Sequence, residues 1–148
     1  MVKDIPLSEI TLRKYEKPYQ LSRRELVKKI CLSLGLLQPG DSRDVIVDIL
    51  MIIEEASKNK KSLNSDEIKI KIEESRRKNN LELKGIADSN IRRQLKRLRD
   101  IMIIEKKNNL YNLSEFENLG QIFENKIEKF LVPQTIERIK EYLSELEK

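Results

Sequence analysis

The run Ser89-Asn90-Ile91-Arg92-Arg93-Gln94-Leu95-Lys96-Arg97-Leu98-Arg99 holds side chains suited to recognising phosphates and the edges of bases. A guanidinium at Arg93 or Arg97 can donate two hydrogen bonds to O6 and N7 of guanine, and the carboxamide of Asn90 can pair with N6 and N7 of adenine. Each such pair discriminates by roughly 1–3 kcal/mol. Ser89, Lys96, Lys106 and Lys107 suit phosphate oxygens, where every neutralised charge releases condensed counterions and gives affinity without sequence preference. Spacing turns these groups into a face. At about 100° per residue in a helix, Ile91, Leu95 and Leu98 point one way, Ser89, Arg93, Lys96, Arg97 and Asp100 point the other, and Asn90 and Arg92 lie on the flanks. With the hairpin described below, the candidate contact residues are Ser89, Asn90, Arg92, Arg93, Lys96, Arg97, Lys106, Lys107 and Asn108.

Charge is concentrated in the same place. Between Lys84 and Lys107 eight basic residues stand against three acidic ones, a surplus equal to the net +5 of the whole 148-residue chain. From Ser114 to Lys148 five basic residues face eight glutamates, so the tail does not share the basic role and suits assembly instead. A solvated helix whose cations only keep the protein in solution is the plain alternative. The basic hairpin that follows the helix argues for an anionic partner.

Composition narrows the chemistry. With no histidine and one cysteine, the commonest general base, the usual zinc ligands and a thiol–imidazole pair are all missing. An enzyme, a metal site and a bound cofactor are not expected. Cys31 has no partner for an intramolecular disulfide and falls in the stripe Leu26, Val27, Ile30, Cys31, Leu34, which makes it a core residue. No N-terminal apolar stretch resembles a signal peptide or spans a bilayer, and the expected compartment is the cytoplasm. The three Phe fall in helical stripes and the four Tyr are scattered, so there is no aromatic platform on which single-stranded RNA would stack. Hydrophobic residues at 39% and charged residues at 37% describe a folded soluble chain with room for one core, and the excess of Ile, Lys and Glu fits a thermophile.

The elements that must position the basic helix can be read in order. Residues 1–20 lack helical periodicity and form a basic arm with Arg13, Lys14 and Lys17, either lying along DNA or packing Leu12, Tyr15 and Tyr19 on the core or on a partner subunit. Ser22 and Glu25 make a capping box for a helix ending near Gly35. Asp41 or Ser42 caps a second helix whose apolar residues, from Val45 to Ala56, cover more than half its circumference and place it at the centre. Asn64 or Ser65 caps a third, with Glu67 as the boxed acid, Ile68 and Ile72 as its stripe, and Arg76, Arg77 and Lys78 complementing its C-terminal dipole. Leu81-Glu82-Leu83 alternates like a short strand, and Asp88 or Ser89 caps the basic helix. Met102 to Lys106 and Leu110 to Leu113 read as two strands about a Lys107-Asn108-Asn109 turn. A helix over Glu115–Leu131 and another opened by Pro133 end the chain.

The predicted fold is mainly α with a small β-hairpin: a winged helix-turn-helix domain with N-terminal and C-terminal helical extensions. Its parts are an arm and helix (1–41), the DNA-binding domain (42–113) and C-terminal helices (114–148). In that order of elements the basic helix enters the major groove and the hairpin meets the flanking backbone. The seam Ile136, Ile139, Leu143 and Leu146 calls for a partner, either the same chain folded back or, preferred here, a second subunit that holds two such helices about 34 Å apart.

The run from Ser89 to Asp100, with Ile103-Ile104-Glu105-Lys106 and Tyr111-Asn112-Leu113, resembles the recognition helix and wing of prokaryotic winged-helix transcription regulators. The segments Thr11 to Pro18 and Leu36 to Asp44 are similar to a group of euryarchaeal winged-helix proteins that includes the activator of archaellum genes. The resemblance implies an archaeal transcription activator that contacts promoter DNA through Asn90, Arg93, Lys96 and Arg97. Where that pattern has Gly, this chain has Met102, a departure at the turn that launches the wing. The expected function is sequence-specific regulation of transcription on double-stranded DNA. The rival is a protein-interaction module of the same fold inside a transcription or replication assembly.

Overall fold

A computed structural model describes residues 4–148; the first three residues of the arm lie outside the described part. The chain is mainly helical with one antiparallel hairpin. The first four helices are α1 (Arg23–Ser33), α2 (Val45–Lys58), α3 (Ser65–Lys78) and α4 (Asp88–Asp100). The strands β1 (Ile104–Lys107) and β2 (Leu110–Leu113) follow, paired from Ile104 opposite Leu113 to Lys107 opposite Leu110.

The apolar surround of α2 makes it the hub. Val45, Ile46, Val47, Ile49, Leu50 and Ile53 are all buried, and α1, α3, α4 and β2 pack around them. Ile68 and Ile72 of α3 and Ile91, Leu95 and Leu98 of α4 close the core as their spacing requires. Each fully buried Leu or Ile contributes roughly 1.5–3 kcal/mol. Cys31 lies in this core, where burial pushes its thiol up to about 12.

All four helices stop in the same way. The residue after each C-cap (Gly35, Lys60, Asn80 and Met102) is left-handed, with φ of 71°, 57°, 55° and 65°. The next residue's N–H then bonds the carbonyl five positions back: Leu36 to Cys31, Lys61 to Ala56, Leu81 to Arg76 and Ile103 to Leu98. Only one of the four is glycine. At Gly35 a side chain is also excluded sterically, because an added Cβ would collide with Thr11 of the arm.

The capping boxes at Ser22/Glu25 and Asn64/Glu67 form as predicted. Three other expectations need correction. The N-cap of α2 is Asp44, not Asp41 or Ser42; Asp41 instead accepts from the Arg43 N–H. Leu81–Leu83 is not a strand: Leu81 completes the helix stop of α3, and the Glu82 carbonyl accepts from Arg76 Nε at 2.5 Å. The backbone that extends the hairpin is Leu63, whose N–H and C=O both pair with Tyr111. Arg76, expected to complement the C-terminal dipole of α3, lies in the interior. It is buried, held by Asp48 at 2.5 Å and Asp44 at 3.2 Å, while Arg24 of α1 pairs with the same two carboxylates.

After β2 come a 3-10 turn (Ser114–Phe116), α5 (Leu119–Ile122), a π-type segment (Phe123–Leu131) and α6 (Val132–Leu146). Pro133 stands in the first turn of α6, as expected, but no break in the backbone separates that helix from the segment before it. Leu131 and Val132 are both right-handed helical, and one continuous rod runs from Leu119 to Leu146. The wider i→i+5 turns carry the chain up to Pro133, which has no N–H for the carbonyl four residues back.

The arm is bound rather than free. Arg13 donates from its backbone to Ser33 and from its guanidinium to the carbonyls of Leu32 and Leu37, and Lys29 pairs with Glu16 while lying over the Tyr15 ring. Of the three residues named for packing, Tyr15 is part-buried, whereas Leu12 and Tyr19 are exposed.

Candidate nucleic-acid interface

The helix α4 is seated by Ile91, Leu95 and Leu98, which are at most 1% exposed. Its outward residues follow from that seating: Ser89, Arg92, Arg93, Lys96 and Arg99 are exposed. The N-cap is Ala87, without a side-chain bond, rather than Asp88 or Ser89. Asp88 opens the first turn and pairs with Lys69 of α3 at 2.9 Å; that hydrogen bond and charge hold its carboxyl below the usual range. Ser89 is thereby left in the first turn with its side chain outward.

Two residues predicted to read bases are engaged within the chain. Asn90 donates to the Gly85 carbonyl at 2.7 Å, and its Oδ1 accepts from Arg93 at 2.7 Å and Gln94 at 3.1 Å. Gly85 permits this approach, since a Cβ there would lie 3.1 Å from Asn90 Nδ2. Arg97 donates to Gln94 Oε1 at 2.7 Å and to the Gly35 carbonyl at 3.0 Å. The wheel placed it opposite the apolar stripe, but a long side chain beside the end of α1 finds an orphan carbonyl there. Arg97 is thus a strut between α4 and α1, and Asn90 orients Arg93.

The hairpin turn is a two-residue loop, Asn108-Asn109, with φ of 52° and 63°. Positive φ at both positions is the demand of a type I′ turn, and asparagine tolerates it better than most residues. Lys106, Lys107 and Asn108 are all exposed. Lys106 lies over the Tyr111 ring at 5.6 Å, and Lys107 reaches Glu105 only at 3.6 Å. Glu105 is anchored by Asn112 and the Glu115 N–H, which outweigh its burial and hold its carboxyl low.

A hollow of about 430 Å³ joins the C-terminal end of α4 to the hairpin, and Lys96, Arg99, Lys106 and Lys126 line it together with Asp100, Glu105 and Glu115. Two predicted residues, Lys96 and Lys106, are brought together here. Arg99 and Lys126 were not among the candidates. Arg99 was discoverable from its place beside Lys96 in the basic run, whereas Lys126 arrives from the rod and carries no local signal.

The turn between α4 and β1 keeps its form despite Met102. The Met102 N–H bonds the Arg99 carbonyl at 2.9 Å and Ile103 bonds Leu98 at 3.0 Å, the complete helix stop. A left-handed non-glycine residue costs about 1–2 kcal/mol. Met102→Gly is therefore expected to raise the unfolding free energy by about 0.5–1 kcal/mol in urea titrations; a loss of stability would mean that the Met102 side chain contributes more by packing than its backbone strain costs.

Among the described residues no helix is long and apolar enough to cross a membrane. The chain was compared with protein-family models, with curated proteins and with solved structures, and nothing in any of the three matches it.

Proposed function

We propose that this protein is a sequence-specific double-stranded DNA-binding regulator of transcription, built as a winged helix-turn-helix with α3 and α4 as the paired helices and β1–β2 as the wing. The observation that carries this reading is the exposed cationic face of α4 beside the basic hairpin, with Lys96, Arg99 and Lys106 around one hollow. An α-helix fits the major groove, and a hairpin at its end reaches the neighbouring phosphates. Arg93, with Asn90 behind it, is the base-reading residue; Ser89, Arg92, Lys96, Arg99, Lys106, Lys107 and Asn108 contact the backbone. Arg97 serves the placement of α4. Such a protein acts in the cytoplasm on promoter DNA, with no catalytic step, and the resemblance to archaellum regulators makes activation the expected sign.

Selection of bound duplexes from a random pool tests this directly. A recurring motif is expected, and its affinity should fall with salt along a log–log slope of about −4 to −5, as neutralising some five phosphates requires. Retention of no duplex at physiological ionic strength would overturn the reading in favour of a protein-docking module.

A further inference from the structure

Among the described residues, nothing lies against two apolar surfaces of this chain. One is the seam of α6, where Ile136, Ile139, Leu143 and Leu146 are all exposed and no residue of the helix is buried. The other is a cavity of about 460 Å³ walled by Tyr19 and Leu21 of the arm, Leu26 and Ile30 of α1, and Gly120 and Phe123 at the start of the rod. Leu26, Ile30 and Phe123 remain exposed although they surround it. A lone helix of about 15 residues is marginal in water, and a seam of three- and four-residue steps is the pattern helices bury against one another.

We propose that a second copy of this chain covers both surfaces, each α6 lying antiparallel along the partner's rod with the end of its seam in the partner's cavity. This goes beyond the DNA reading and does not depend on it. Seam and part of the cavity wall belong to one continuous helix: near one end Phe123 is exposed in the wall, with Leu119 part-buried and Ile127 fully buried beside it, and near the other Leu143 and Leu146 are exposed. Aligning Leu143 with Phe123 brings Leu146 to Gly120, which has no side chain to obstruct it, and puts the two-fold axis beside Pro133. Charge agrees. Lys17 on the cavity rim is exposed and in no ion pair among the described residues, and the arriving end of α6 carries Glu147, Glu145 being paired with Lys148 of its own chain. A two-fold contact of this kind closes on itself and covers each surface on both copies. Pairing seam to seam alone would leave the cavity open.

Sedimentation equilibrium of the full chain at micromolar concentration is expected to give the mass of two chains. Leu143→Asp on α6 and Leu26→Glu in the cavity wall, both at exposed positions, should each raise the dissociation constant at least ~30-fold while the helical circular dichroism is retained. A chain carrying both Phe123→Cys and Leu143→Cys should form a covalent dimer on mild oxidation. Within one chain about 20 residues of helix hold the two positions roughly 30 Å apart, beyond the span of a disulfide. A monomeric mass for the unaltered chain overturns the proposal. So does a dimer broken by Leu143→Asp but not by Leu26→Glu, which would mean that α6 pairs only with α6, and so does absence of the cross-link.

Discussion

Asp48→Ala is expected to lower the unfolding free energy by about 3–5 kcal/mol, a large part of the 5–15 kcal/mol typical of a domain. Asp48 is 1% exposed in its side chain and Arg76 5%, and both sit where α1, α2 and α3 meet. Removing the carboxylate leaves Arg76 buried with one charge partner, Asp44, and takes from Arg24 its 2.5 Å bond. The loss is asymmetric: the native cluster roughly offsets its own desolvation, whereas an incomplete one retains the desolvation cost without the attraction. Among the described residues every buried polar side-chain atom has a partner, so nothing nearby is waiting to replace Asp48. Urea unfolding at neutral pH measures the effect, and a loss below about 1 kcal/mol would show that water enters and solvates Arg76. The same cluster sets the response to acid. Burial alone would push the Asp44 carboxyl up, but hydrogen bonds and charge from Arg24 and then Arg76 outweigh it and hold the group below its ordinary 3.8. Its stabilising contribution is complete above that unfolded value and disappears as pH falls through the lowered one, so acid unfolding should set in below about pH 4.

Arg93→Ala is expected to weaken binding to the selected duplex by about 5- to 100-fold and to leave the melting temperature unchanged. The exposed guanidinium of Arg93 makes its hydrogen bond to Asn90 alone, so its truncation orphans no buried group. Arg97→Ala, made alongside, separates reading from positioning. It removes the bond to the Gly35 carbonyl as well as that to Gln94, and binding and thermal stability should fall together. Unchanged affinity of Arg93→Ala for the best selected sequence would remove Arg93 as the base-reading residue, whatever the fate of the dimer.

Periodicity was enough to place the core and the helices, because Ile91, Leu95 and Leu98, or Ile68 and Ile72, have one face to bury and only one spacing that buries it. It also located the hairpin, since alternation about Asn108-Asn109 has few other meanings. What periodicity could not reach were contacts between residues far apart in the chain. Arg76 reads as a cation for the C-terminal dipole of α3 because nothing near it in sequence hints at Asp44 and Asp48, and Leu81–Leu83 reads as a strand because its alternation carries no sign that Arg76 holds the Glu82 carbonyl. Arg97 was misplaced for a related reason. A helical wheel gives the direction of a Cβ, whereas a long guanidinium can reach around the helix to an unsatisfied carbonyl. Met102 shows the opposite failure: the residue departs from the expected glycine, but the backbone keeps the conformation because Ile103 and Leu98 fix both sides of the turn.

The C-terminal end of α1 receives two guanidiniums from opposite directions, Arg13 from the arm at Leu32 and Leu37, and Arg97 from α4 at Gly35. Both complement the negative end of one helix dipole within the same turn. Fraying of that turn would loosen both holds at once, leaving the arm on Lys29 and α4 on its apolar stripe. Arm and α4 are therefore coupled through the last turn of α1 despite the long stretch of chain between them, and loss of that turn weakens both.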